Sequence, residues 1–91
     1  MESRKILRKV RIKNALGLHA RPATVIVKLL QASRSRVLFT YKHETVDARS
    51  IMNILMLAVT KNALITIVVE GDDAKETMRR LLATFNTQFG E

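Results

Sequence analysis

Residues 63–70 read Ala-Leu-Ile-Thr-Ile-Val-Val-Glu, the strongest strand signal in the chain. Branched side chains of this kind fit a pleated, half-buried surface, and a strand that apolar must find partner strands and a covering layer. Three further segments predict strands. These are residues 7–12, where only the face carrying Val10 and Ile12 is clear, residues 36–41, and residues 45–48. The last two are joined by a turn over residues 42–44 that lacks the Asn-Gly pair favoured in tight hairpins.

The covering layer is legible too. A helix is predicted over residues 20–30, with Pro22 in its first turn and Ala23, Ile26, Val27 and Leu30 on one face. Ser50 suits the N-cap of a short helix over residues 51–58. Gly71-Asp72-Asp73 turns into a last helix over residues 74–86, with Asp73 as its expected cap and Met78, Leu81, Leu82 and Phe85 as its apolar stripe. The order βαββαβα, with helices too amphipathic to stand alone, implies an α+β open-faced sandwich: an antiparallel sheet covered by helices on one face.

At 91 residues, without a repeat or a Pro/Gly-rich linker, residues 1–91 read as one domain. The absence of cysteine excludes a disulfide framework, a thiolate metal site and a cysteine nucleophile. No apolar run approaches the ~18 residues of a membrane span, and the basic N-terminal stretch has no apolar core behind it. The expectation is a cytoplasmic protein without membrane insertion. The formal net charge of +8 leaves room for an anionic partner or substrate.

Chemistry concentrates in Gly17-Leu18-His19-Ala20-Arg21-Pro22-Ala23. A histidine stands where a glycine-containing loop enters a helix, whose first amides are unpaired and whose positive end favours an anion. An arginine two residues on can form paired hydrogen bonds to phosphate-type oxygens. From physics alone this is a site for a histidine that accepts a phosphoryl group. The plainer reading is a helix-start histidine beside a solvated arginine. At Arg49-Ser50-Ile51-Met52 the serine is either a simple cap or a phosphorylation site, and Met52 and Leu55 are either core or partner contacts. His43 stands alone in a turn, and no zinc spacing, nucleotide loop or carboxylate pair is present, so no metal or cofactor is expected.

These motifs resemble the HPr family, the histidine-containing phosphocarriers of the bacterial sugar phosphotransferase system. Gly17 to Ala23 matches the family's active-site signature, Arg49-Ser50-Ile51-Met52 its second signature, and Gly71-Asp72-Asp73-Ala74 the acidic turn before its last helix. The resemblance implies a four-stranded antiparallel sheet with three helices on one face. It further implies that His19 takes a phosphoryl group on Nδ1 from phosphorylated enzyme I, charged by phosphoenolpyruvate, and passes it to IIA units of sugar permeases. Arg21 would stabilise the phosphohistidine. Ser50 would be the regulatory site of an HPr kinase/phosphorylase. Leu18, Ala20, Arg49, Ile51, Met52 and Leu55 would dock the partners of a monomeric carrier. The chain departs from the family at Lys42-His43, where Asn-Gly is common, at Asn62 in place of a glycine, at Asp73 in place of a glutamate, and in its high positive charge. A nitrogen-branch phosphocarrier with regulatory acceptors would use the same chemistry. Two readings from other classes are a regulatory protein controlled at Ser50 and a basic nucleic-acid-binding module. No RNP-like aromatic pair supports the latter.

Overall fold

Side chains of residues 65, 67 and 69 point one way along their strand and are fully buried, as alternation requires. A computed structural model describes residues 4–91 and places this strand inside a four-stranded antiparallel sheet. The elements are β1 (Arg4–Arg11), α1 (Ala20–Leu30), β2 (Arg36–Tyr41), β3 (Glu44–Asp47), α2 (Ile51–Met56), β4 (Leu64–Gly71) and α3 (Ala74–Asn86), followed by a short 3-10 turn, Gln88–Gly90. The sheet order is β1-β4-β2-β3. One face of β2 and β4 supplies Val37, Phe39, Ile65, Ile67 and Val69 to a core completed by Ala23, Ile26, Leu30, Ile54, Met78 and Leu81 from the helices.

Boundaries differ from the sequence pattern where packing overrides periodicity. β1 begins at Arg4, because its backbone pairs with β4 along eight positions whatever its side chains. Ile12 lies beyond the regular ladder yet is buried; it donates to Ala63 O at 2.8 Å while Asn62 donates to Ile12 O at 2.7 Å, so two residues face one. Asn62 takes a left-handed φ of 71°, which asparagine tolerates. α2 ends at Met56 rather than continuing, and Ala58 has φ 53°. The β2–β3 hairpin closes through Lys42 and His43, both left-handed (φ 49° and 69°), the geometry for which Asn-Gly is usually chosen.

Asp73 occupies the N-cap position of α3 without capping it. Its carboxylate instead accepts hydrogen bonds from Ser35 Oγ, from Ser33 Oγ at 3.4 Å and from the Arg34 amide at 2.9 Å, tying α3 to the α1–β2 turn. Gly71 makes the approach possible, since a Cβ there would sit 2.6 Å from Ser35 Oγ. The Ser35 hydroxyl, and after it the Arg34 amide, hold the Asp73 carboxyl below the usual carboxylate range. A depressed carboxylate stabilises the fold above its ordinary value near 4 and loses that contribution as pH falls through the lowered one. Asp73→Asn is therefore expected to cost about 1–2 kcal/mol at pH 7 by denaturant titration, with the gap from the parent closing below about pH 4.

Candidate functional site

The loop before α1 is set by backbone contacts. Gly17 donates to Asn14 O at 3.0 Å and takes φ 66°, and Leu18 donates to Val59 O at 3.0 Å. Any side chain at position 17 would place its Cβ 2.0 Å from the Val59 carbonyl oxygen, so only glycine fits. His19 then stands as the extended residue that precedes α1, and its carbonyl accepts the first helical bond, from Ala23 at 3.1 Å.

The His19 side chain does not cap the helix. Its Nε2 lies 3.0 Å from Glu91 Oε2, and the imidazole keeps 31% of its surface exposed. The other oxygen of Glu91 accepts from Asn14 Nδ2 at 2.6 Å, and the same buried amide donates its second proton to Gln88 O at 2.9 Å. The segment after α3 is brought back by Phe89, which is buried with its ring 4.8 Å edge-on to Phe85. Asn14, Leu16, His19, Gln88 and Glu91 line a shallow cleft of about 320 Å³. A carboxylate 3.0 Å from Nε2 favours the tautomer with its proton on that nitrogen and the lone pair on Nδ1.

Beside it, the amides of Ala20 and Arg21 precede the first helical hydrogen bond and have no protein acceptor among the described residues. The Arg21 side chain is exposed and, among the described residues, makes neither a hydrogen bond nor an ion pair. Two amides, a helix terminus and a guanidinium thus stand ready for an anion at His19.

Ser50 caps α2, its Oγ accepting from the Asn53 amide at 3.2 Å. Ile51, Met52 and Leu55 are exposed, Met52 by 65%. Two more exposed apolar residues, Leu16 on the His19 loop and Met56 on α2, join them. Of the residues expected at this surface, one is placed elsewhere and one stays exposed with its guanidinium engaged within the fold. Leu18 is buried in the core, because the Val59 contact turns it inward. Arg49 is occupied within the fold, donating to the carbonyls of Leu30, Ser33 and Ser35 at 2.7, 2.6 and 2.8 Å and so satisfying the C-terminal end of α1. Asn14 and Glu91 escaped sequence reasoning. The only local hint was the apolar spacing of Phe85 and Phe89, which docks the tail.

An exposed imidazole held by a carboxylate beside unpaired helix amides is the arrangement of a group-carrier domain. Residues 6–87 match the family model described as the phosphorylation-site HPr component of the phosphotransferase system. The phosphocarrier protein HPr of Chlamydia muridarum is 45% identical over 80 residues, covering 88% of this chain and 77% of the relative. That of Cupriavidus necator is 39% identical over 88% of this chain and 90% of its own. Among solved structures, an HPr of Thermoanaerobacter tengcongensis superposes with a TM-score of 0.90 at 34% identity, covering 94% of this chain and 97% of the other. A second form from that organism is described as a dimer. The chain belongs to the HPr family and is a phosphocarrier of the phosphotransferase system.

Replacing Glu91 tests the tautomer argument directly. Glu91→Ala is expected to shift the neutral imidazole of His19 toward the Nδ1–H form by roughly 0.5–1 kcal/mol, the range for a solvent-accessible charged contact. Nitrogen NMR of the His19 ring reads the change.

Proposed function

We propose that His19 accepts a phosphoryl group at Nδ1 from phosphorylated enzyme I, charged in turn by phosphoenolpyruvate, and hands it to IIA units of sugar permeases. The observation that carries the reading is the Glu91 carboxylate 3.0 Å from Nε2, which leaves Nδ1 as the free nucleophile. The Nδ1 lone pair attacks phosphorus in line, the bond from phosphorus to the donor atom breaks, and its electrons remain on the donor. The ring becomes cationic as the N–P bond forms, and Glu91 at the opposite nitrogen balances that charge. The Ala20 and Arg21 amides and the Arg21 guanidinium receive the phosphoryl oxygens. Transfer onward is the same displacement with the roles exchanged. An open cleft leaves the in-line approach free for each partner in turn, and an enclosed pocket would trap the group.

The exposed apolar residues Ile51, Met52, Leu55 and Ala20 support alternate docking of donor and acceptors by a cytoplasmic, single-domain monomer. Ser50 stands in that patch at the start of α2, and we assign it as the regulatory target of an HPr kinase/phosphorylase. Phosphate there keeps the helix start satisfied and places negative charge among apolar contacts.

Phosphoryl transfer from phosphoenolpyruvate through the cognate enzyme I is the decisive assay. His19→Ala is expected to take no label while keeping its circular dichroism, and Arg21→Ala to be labelled about tenfold to a hundredfold more slowly. Labelling of His19→Ala at the parent rate would refute the assignment. Ser50→Asp is expected to raise the half-saturating concentration for enzyme I about tenfold, measured in the same assay.

A further inference from the structure

None of the six cations of residues 4–13 lines the His19 cleft. No acidic residue stands between Arg4 and Lys13 to break the run of Arg4, Lys5, Arg8, Lys9, Arg11 and Lys13, and among the described residues none of these is in an ion pair. They lie on or just after β1, an edge strand whose one partner in the sheet is β4. Because Ile12 exchanges hydrogen bonds with the β4 side, alternation assigns the even-numbered residues of β1 to the ladder. The amides and carbonyls of Lys5, Leu7, Lys9 and Arg11 therefore face the open edge. The Arg8 guanidinium, 2.8 Å from the Leu7 carbonyl, marks that side as solvent-facing.

We propose that this edge binds an acidic, extended segment of a partner protein by strand addition. The two faces of the edge specify what such a segment must carry. On the helix-free face the side chains of Lys5, Lys9 and Arg11 flank Leu7, which is 51% exposed, and Glu70 of β4 stands opposite Lys5, leaving Lys9 and Arg11 facing Thr66 and Leu64. On the α3 side a cleft of about 510 Å³ beside β1 is lined by Val10, Leu82 and Phe85 together with Lys9, Arg11 and Lys13. A strand laid beside β1 sends alternate side chains to these two faces. Acids on the helix-free face meet the cations there, and side chains on the other face meet a cleft lined by both apolar residues and cations. Charge on an edge strand also discourages chance pairing with other chains, but that role requires no cleft beside it. Single-stranded nucleic acid is disfavoured because no aromatic side chain stands on the helix-free face to stack a base.

The test uses the whole protein and a short blocked peptide alternating glutamate and valine. Binding is expected to weaken steeply with salt. It is also expected to slow amide exchange at Lys5, Leu7, Lys9 and Arg11 without altering His19 labelling. The double variant Lys5→Glu/Lys9→Glu is expected to bind about tenfold more weakly, and Lys5→Gln/Lys9→Gln serves if charge reversal disturbs the fold. Binding that leaves those four amides unprotected would overturn strand addition. Failure of the peptide to bind, or tighter binding at the same strip by single-stranded RNA or phosphatidylglycerol vesicles, would overturn the partner class.

Discussion

Gly17 passes Val59 so closely that a methyl group would lie 2.0 Å from the carbonyl oxygen, and the next amide, that of Leu18, donates to the same oxygen at 3.0 Å. Everything at the site follows from that approach. It pins the start of α1 to the connection between α2 and β4, buries Leu18 as an anchor, and delivers His19 extended at the helix start with its ring outside the core. The Arg49 guanidinium holds the other end of α1 through three carbonyls. α1 is therefore tied to the fold near both ends, and the His19 imidazole is presented at its start.

At that helix start the chemistry is made by few groups. Glu91 stands against one ring nitrogen, Asn14 holds Glu91, and the first turn of α1 leaves its amides without a protein acceptor among the described residues. Asn14 is buried, while His19, Arg21 and Glu91 reach solvent. A carrier must release what it accepts, and a site open to solvent and to a second protein stabilises the phosphorylated state without trapping it. The exposed apolar residues of α2 and the charged edge of β1 lie on different elements, so a partner at the β1 edge leaves the α2 docking residues uncovered.

The βαββαβα order, the antiparallel sheet and the place of His19, Arg21 and Ser50 were legible in the chain because each depends on neighbours within a few residues. A glycine before a helix start, a serine cap and alternating Ile and Val are local signals. Glu91 was not legible. It lies 77 residues from Asn14 along the chain, and only the burial of Phe89 brings it back. Arg49 and Asp73 show the complementary failure. Their positions were read correctly, but their side chains turn away from the local role to satisfy the two ends of the α1–β2 connection, where buried carbonyls and hydroxyls needed partners. Periodicity likewise misses the start of β1, whose hydrogen bonds to β4 do not depend on which side chains it carries.

The proposed function rests on phosphorylation of His19 at Nδ1, with Glu91 standing at Nε2. Combined nitrogen and phosphorus NMR of the protein phosphorylated by its enzyme I tests it most directly. The account predicts a single phosphohistidine with phosphorus coupled to Nδ1 of His19 and a proton retained on Nε2. Phosphorus coupled to Nε2, or to any other side chain, would contradict it.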